Sequence, residues 1–189
     1  MRLGLSFVLL VIGCARALSA DAPRTYVYFG ADRERIAEKS FLDTRRMEGA
    51  QIRYSWKQLE RGKGEFDFTD IRHDLDFLAA HGKRLWIQLS DVSFDPQYKP
   101  FPKYLLTDPA YHGGADPQYA IENDNEDHAK IGGWVARRWD PAVRERWQEL
   151  LAALGKEFDG KIEGINLSET AIDVGETGKL YPRVRQLIS

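Results

Sequence analysis

The sequence predicts an α/β fold in which strand and helix alternate along the chain, and three observations carry that reading. Short apolar runs recur at Tyr26–Phe29, Gln51–Tyr54, Arg84–Leu89 and Ile162–Leu167. Helical periodicity or helix-start chemistry lies between them, and no internal repeat, low-complexity tract or linker interrupts the alternation. Strand and helix in unbroken succession call for right-handed crossovers and a parallel sheet. Four such units amount to half of a (β/α)₈ barrel, and the 189 residues fall short of the roughly 250 that a complete barrel usually needs.

The first strand, Tyr26-Val27-Tyr28-Phe29, is β-branched and aromatic and closes on Gly30. Asp32 is placed to cap a helix from Arg33 to Arg46, although Ile36, Ala37 and Phe41 give it only a thin apolar stripe. After the second strand, Gly62-Lys63-Gly64 makes a turn and Thr69 or Asp70 caps a helix over Ile71–Ala80. Ile71, Leu75 and Leu78 share one face of that helix, and His81-Gly82 stops it. The third strand is nearly continuous in apolar residues, as a parallel strand covered on both faces requires. From Ser90 to Trp139 the chain is rich in Pro, Gly, Asp, Asn and Tyr without a helical period, and is read as a long loop with room for a short hairpin. Asp140 followed by Pro141 marks a helix start. Val143, Trp147, Leu150, Leu151, Leu154 and Phe158 then keep a 3.6-residue period until Asp159-Gly160. The fourth strand leads into Ser168-Glu169-Thr170, and a last helix is expected near Pro182–Ile188.

Hydrophobic content of 43% and charged content of 30% are ordinary for a globular domain. Arg2 precedes an apolar run from Leu3 to Ile12, too short to span a bilayer but matched to the core of a secretory signal. Small residues follow as far as Ala20, so residues 1–20 are read as a signal peptide, 21–189 as the folded domain, and the protein as exported to the periplasm or outside the cell. The same stretch, Val11-Ile12-Gly13-Cys14, also fits a lipobox, which would leave a lipid anchor on Cys14 instead. Cys14 is the only cysteine, so no intramolecular disulfide forms. Loss of Arg2 and Arg16 with the signal shifts the formal charge from −2 to −4. An acidic body argues against nucleic acid as partner, and no other segment is suited to cross a membrane.

In parallel barrels the site lies at the carboxyl ends of the strands. That rule selects Tyr54 and Trp56, Gln88 and Asp91, and Asn166, Ser168 and Glu169. The stretch Arg53-Tyr54-Ser55-Trp56-Lys57-Gln58-Leu59-Glu60, followed by Gly64-Glu65-Phe66-Asp67-Phe68, resembles the second βα unit of the large clan of (β/α)₈ retaining glycoside hydrolases. Leu85-Trp86-Ile87-Gln88-Leu89 after Gly82-Lys83 is similar to its third unit. Arg138-Trp139-Asp140-Pro141 and Glu163-Gly164-Ile165-Asn166-Leu167-Ser168-Glu169 are similar to its fourth. The resemblance covers Tyr26 to Asp173 and implies that Glu169 is the general acid/base. Such a carboxylic acid protonates the glycosidic oxygen and later activates water. The family pattern places Asn directly before that Glu, whereas Ser168 stands here and Asn166 lies three residues before Glu169.

Each of these residues also has a plainer reading. Glu169 fits a helix cap, and Asn166 fits a bond to a neighbouring strand end as well as one to a sugar hydroxyl. Trp56 and Tyr54 present faces for a pyranose ring or pack in the core, and Gln88 and Asp91 are candidate hydrogen-bond partners for substrate. The acidic run Glu122–His128 lacks the spacing and glycine of a calcium loop and is read as solvated. His73, His81, His112 and His128 have no metal spacing, and no phosphate-cradling glycine loop or Ser/His/Asp set is present. No cofactor or metal is therefore expected, and carbohydrate is the expected substrate.

A retaining glycosidase needs a second carboxylate about 5 Å from the first, which the family draws from a seventh strand. The working expectation is a fragment of a full hydrolase. Its alternatives are a half-barrel that self-associates or pairs with a complementing second half, and a non-catalytic sugar binder. Two open sheet edges and an uncovered hydrophobic interior are expected to limit solubility.

Overall fold

A computed structural model describes residues 23–122, 125–168, 172 and 176–181. In chain order the elements begin with β1 (Tyr26–Gly30), α1 (Lys39–Leu42), β2 (Gly49–Ser55) and α2 (Trp56–Leu59). There follow β3 (Glu60–Gly62), β4 (Glu65–Phe66), α3 (Thr69–Ala80), β5 (Arg84–Ser90) and β6 (Val92–Ser93). The remainder are α4 (Tyr104–Thr107), β7 (Ala115–Ala120), β8 (Lys130–Ala136), α5 (Pro141–Phe158) and β9 (Gly164–Leu167).

The fold is mixed α/β. β1, β2, β5 and β9 form a four-stranded sheet in that order, each pair parallel. The strands are therefore ordered in space as they occur in sequence. The sheet is open, without barrel closure, and β1 and β9 are its edges.

Strand parity divides the sheet into unlike faces, because successive side chains point to opposite sides. Phe29, Ala50, Ile52, Tyr54, Leu85, Ile87 and Leu89 are buried on one face and join one core with Ile71 and Leu78 of α3 and with Val143, Leu150 and Leu154 of α5. At fully buried positions such as Ile87, each side chain contributes roughly 1.5–3 kcal/mol. On the other face the register aligns Tyr28, Gln51, Trp86 and Gly164 in one row, and Arg53, Gln88 and Asn166 in the next. Gly164 leaves room for Trp86, whose ring lies only 3.3 Å from where a Cβ would stand.

The face without helices is thus polar, which corrects the expected hydrophobic interior. Several of its polar groups bond to one another: the Tyr28 hydroxyl donates to Gln88 Oε1 at 2.9 Å, and Asn166 Oδ1 accepts from Gln51 Nε2 at 2.8 Å and Trp86 Nε1 at 3.0 Å.

Where local chemistry was strongest, the elements agree with the sequence. Asp140 caps α5 by accepting from Ala142 N and Val143 N, and Pro141 opens the helix. Gly82, at φ +67°, ends the α3 turn. Two expectations change. The helix over Arg33–Arg46 is instead a 3₁₀ turn at Arg33–Ala37 followed by α1, because Glu38 is extended at ψ 127°. That break lets Ile36 and Phe41 both reach the core. The α3 start is capped by neither Thr69 nor Asp70; Asp67 Oδ1 accepts from Thr69 N at 3.0 Å instead.

The long loop after β5 is largely structured. β6, β8 and β7 form an antiparallel sheet in that order, with short helical turns between. β7 is an edge strand, and Pro117 within it lacks the N–H that a central strand would use. The segment 176–181 is tied to this sheet: Glu126 accepts from Thr177 N at 2.8 Å, and the Tyr181 hydroxyl donates to Pro117 O at 2.9 Å. Residues 1–20 with Cys14, and the helix expected near Pro182–Ile188, lie outside the described residues.

Candidate functional site

A cleft of about 340 Å³ opens where the carboxyl ends of β1, β2 and β5 meet the chain that follows β5. Ala31 follows β1, Arg53 and Ser55 end β2, and Ser90 ends β5. Beyond β5, Val92, Phe94, Asp95 and Tyr98 complete the wall. This part of the wall is held by its own hydrogen bonds: Ser93 Oγ donates to Tyr98 O at 2.6 Å and accepts from Trp134 N at 3.2 Å. The Trp134 indole N–H donates to Pro96 O at 2.7 Å. Phe94 is 67% exposed and Tyr98 43% exposed, so two aromatic rings stand free on a fixed loop.

The cleft chemistry is polar. Ser55 Oγ accepts from Gln58 N at 3.2 Å as the cap of α2, which leaves its O–H to donate elsewhere. Arg53 is exposed and makes no ion pair or side-chain hydrogen bond among the described residues. Lys57 Nζ lies 5.9 Å from the Tyr98 ring centre and Lys99 Nζ 4.1 Å from that of Trp134.

Tyr54 and Trp56, expected as surfaces for a sugar ring, are instead fully buried. Tyr54 donates its hydroxyl to Asp74 Oδ2 at 2.6 Å, and Arg33 grips the same carboxylate at 2.7 and 2.9 Å. Burial, and then the Asp74 charge, hold the Tyr54 hydroxyl well above the ordinary phenol range. Trp56 donates its indole N–H to Glu60 Oε2 at 2.6 Å and packs edge-on against Trp147 at 4.9 Å. Glu60 also accepts from Gly64 N at 2.8 Å and from the Tyr104 hydroxyl at 3.0 Å, and it pairs with Arg146 of α5. The Trp-x-x-Leu-Glu turn is therefore a staple between the second βα unit and α5.

Asp91 also differs from its expected role. It is fully buried on the helix side of the sheet, with Arg138 Nε 2.8 Å from Oδ2, and burial pushes its carboxyl up to about 6 despite that cation. Gln88 and Asn166 do lie on the open face, engaged by Tyr28, Gln51 and Trp86. Glu169 lies outside the described residues.

None of the five predicted substrate-binding residues lines the cleft, yet its wall is one residue away in each strand: Arg53 and Ser55 flank Tyr54, and Ser90 precedes Asp91. The signal that would have found them is parity. The apolar residues Ala50, Ile52 and Tyr54 fix one face of β2, which assigns Arg53 and Ser55 to the other.

Among the described residues no three His, Cys, Asp or Glu side chains are grouped to hold a metal, and no helix is long and apolar enough to cross a membrane. Fold and site together define a mixed α/β protein with an open parallel sheet and a cleft at its carboxyl edge. No protein-family model matches the chain, and no curated protein gives a significant match.

Proposed function

We propose that this is a carbohydrate-active domain of the retaining glycoside hydrolase type, which binds saccharide in the cleft at the carboxyl ends of β1, β2 and β5. The observation that carries the reading is the coincidence of that cleft with a parallel sheet ordered β1-β2-β5-β9, since open and closed α/β sheets alike place ligands at strand carboxyl ends. Exposed aromatic faces at Phe94 and Tyr98 suit the apolar face of a sugar ring, and Arg53 and Ser55 supply donors for its oxygens. Glu169, two residues beyond β9, is assigned as general acid/base on the strength of the motif around it.

A second reading, a sugar binder without catalysis, draws on one observation: among the described residues Asp95 is the only carboxylate lining the cleft. Retaining chemistry requires two carboxylates about 5 Å apart. One experiment separates the readings. Oligosaccharides are titrated while tryptophan emission is followed, and the mixtures are then analysed for cleavage products. Binding that weakens in Phe94→Ala and Tyr98→Ala, with cleavage abolished in Glu169→Gln, is the expected result. Binding without cleavage by the parent protein selects the binder, and absence of binding overturns both.

A further inference from the structure

We propose that the saccharide taken by this cleft is acidic, a chain bearing uronic-acid carboxylates, and that Arg53 is the anchor for the carboxylate. The proposal rests on the carbohydrate reading above and narrows it to one substrate class.

Arg53 differs from the arginines of two other clefts on the molecule. Arg33 lines a groove beside α3 and is locked on Asp74, and Arg72 lines another beside α5 and pairs with Glu157. Arg53 alone of these three has no carboxylate within ion-pair distance among the described residues. The one acid beside it in the cleft wall, Asp95, turns Oδ1 to its own loop and accepts from Gln97 N at 2.8 Å. Lys57 and Lys99 at the aromatic rim add positive charge to the same side. This concentration of cations occurs in a chain whose formal charge is −2, so it is local and not a background of the whole surface.

The geometry favours carboxylate over phosphate. Phosphate sites are usually built from the free backbone N–H groups of a helix start or turn. Here the N–H groups at the start of α2 are occupied: Lys57 N donates to Pro100 O at 2.9 Å and Gln58 N to Ser55 Oγ at 3.2 Å. What remains is a planar guanidinium fork, which matches a carboxylate in two parallel hydrogen bonds. The Ser55 O–H and the side chains of Phe94 and Tyr98 then address the hydroxyls and the apolar ring face of the same sugar.

The test is calorimetric titration of the full chain with oligogalacturonate and alginate oligosaccharides, against the same preparations after chemical reduction of carboxylate to hydroxymethyl. Each pair shares backbone and linkage and differs only in charge. A charge-assisted hydrogen-bonded pair corresponds to about tenfold or more in affinity. The acidic form is expected to bind at least that much more tightly than the reduced form, and raised salt is expected to narrow the gap. Arg53→Gln removes the preference, Arg53→Lys keeps part of it, and Phe94→Ala weakens both forms alike. Arg53 is exposed, so thermal unfolding of both variants stays at the parent value and serves as the folding control. Equal binding of acidic and reduced forms, or a preference that survives Arg53→Gln, overturns the acidic assignment and leaves the carbohydrate reading in place. Binding of neither form overturns both.

Discussion

The two faces of the parallel sheet are built from the same four strands and differ in what each buried or exposed polar group is asked to do. On the helix side, polar atoms are few and act as staples. Glu60 joins Trp56, Tyr104 and Arg146, and Asp74 joins Tyr54 and Arg33. On the open side, polar groups form lateral bonds that reach across an intervening strand, and Arg53 at the cleft has no ion pair or side-chain hydrogen bond among the described residues. Removal of a buried staple leaves a partner charge uncompensated, whereas removal of an open-face amide returns its partner to water. Stability is therefore concentrated on one face, and the proposed recognition falls on the other.

Substitutions on the two faces test this difference. Glu60→Ala is expected to cost about 3–5 kcal/mol in denaturant unfolding, because it removes the buried carboxylate that Trp56, Gly64 and Tyr104 all donate to and leaves the buried Arg146 guanidinium with the half-exposed Glu149 as its remaining carboxylate. Ile87→Ala, in the centre of β5, is expected to cost roughly 2–5 kcal/mol through a cavity. Asp91→Asn is expected to act in the opposite direction at neutral pH. The folded-state pKa of about 6 lies above the ordinary value of 3.8, so the ionised form opposes folding. The contribution of Asp91 to stability should rise as pH falls from 7 through 6 towards 4, where folded Asp91 takes up a proton that the unfolded chain does not yet hold. Asp91→Asn should remove that dependence; at pH 8 it relieves the cost of the buried charge but also deprives Arg138 of its carboxylate, so the net gain is expected to be on the order of 1 kcal/mol. Gln88→Ala, one position from Ile87 but on the open face, is expected to cost under about 1 kcal/mol. A loss there as large as that of Ile87→Ala would show that the open face carries the fold.

The same contrast explains what was legible in the sequence. α5 could be read to its ends because Asp140, Pro141 and the Val143–Phe158 stripe are local signals that agree. Of the sheet composed of β6, β8 and β7 only a short hairpin was anticipated, since Pro117 and the Gly132-Gly133 pair suppress strand propensity. Gly133 is required there by a neighbour distant in sequence: a Cβ would lie 1.9 Å from Ser93 O. The Trp56–Glu60 turn was visible as a motif, but the Arg146 that explains Glu60 is 86 residues away. At the site, selection by position after each strand reached the right end of the sheet. It chose Tyr54, Trp56 and Asp91, whose side chains fall on the buried side, and passed over Arg53, Ser55 and Ser90. A period of two makes such a one-residue difference decisive.

The most direct measurement is amide chemical-shift mapping of isotope-labelled protein during titration with an oligouronate. The largest changes are expected at Arg53, Ser55, Ser90, Phe94 and Tyr98, with smaller ones along Gln88 and Asn166 and little at Trp56. Changes centred instead on the groove of Phe66, Phe68 and Lys161, or a spectrum unmoved by any saccharide, would contradict it.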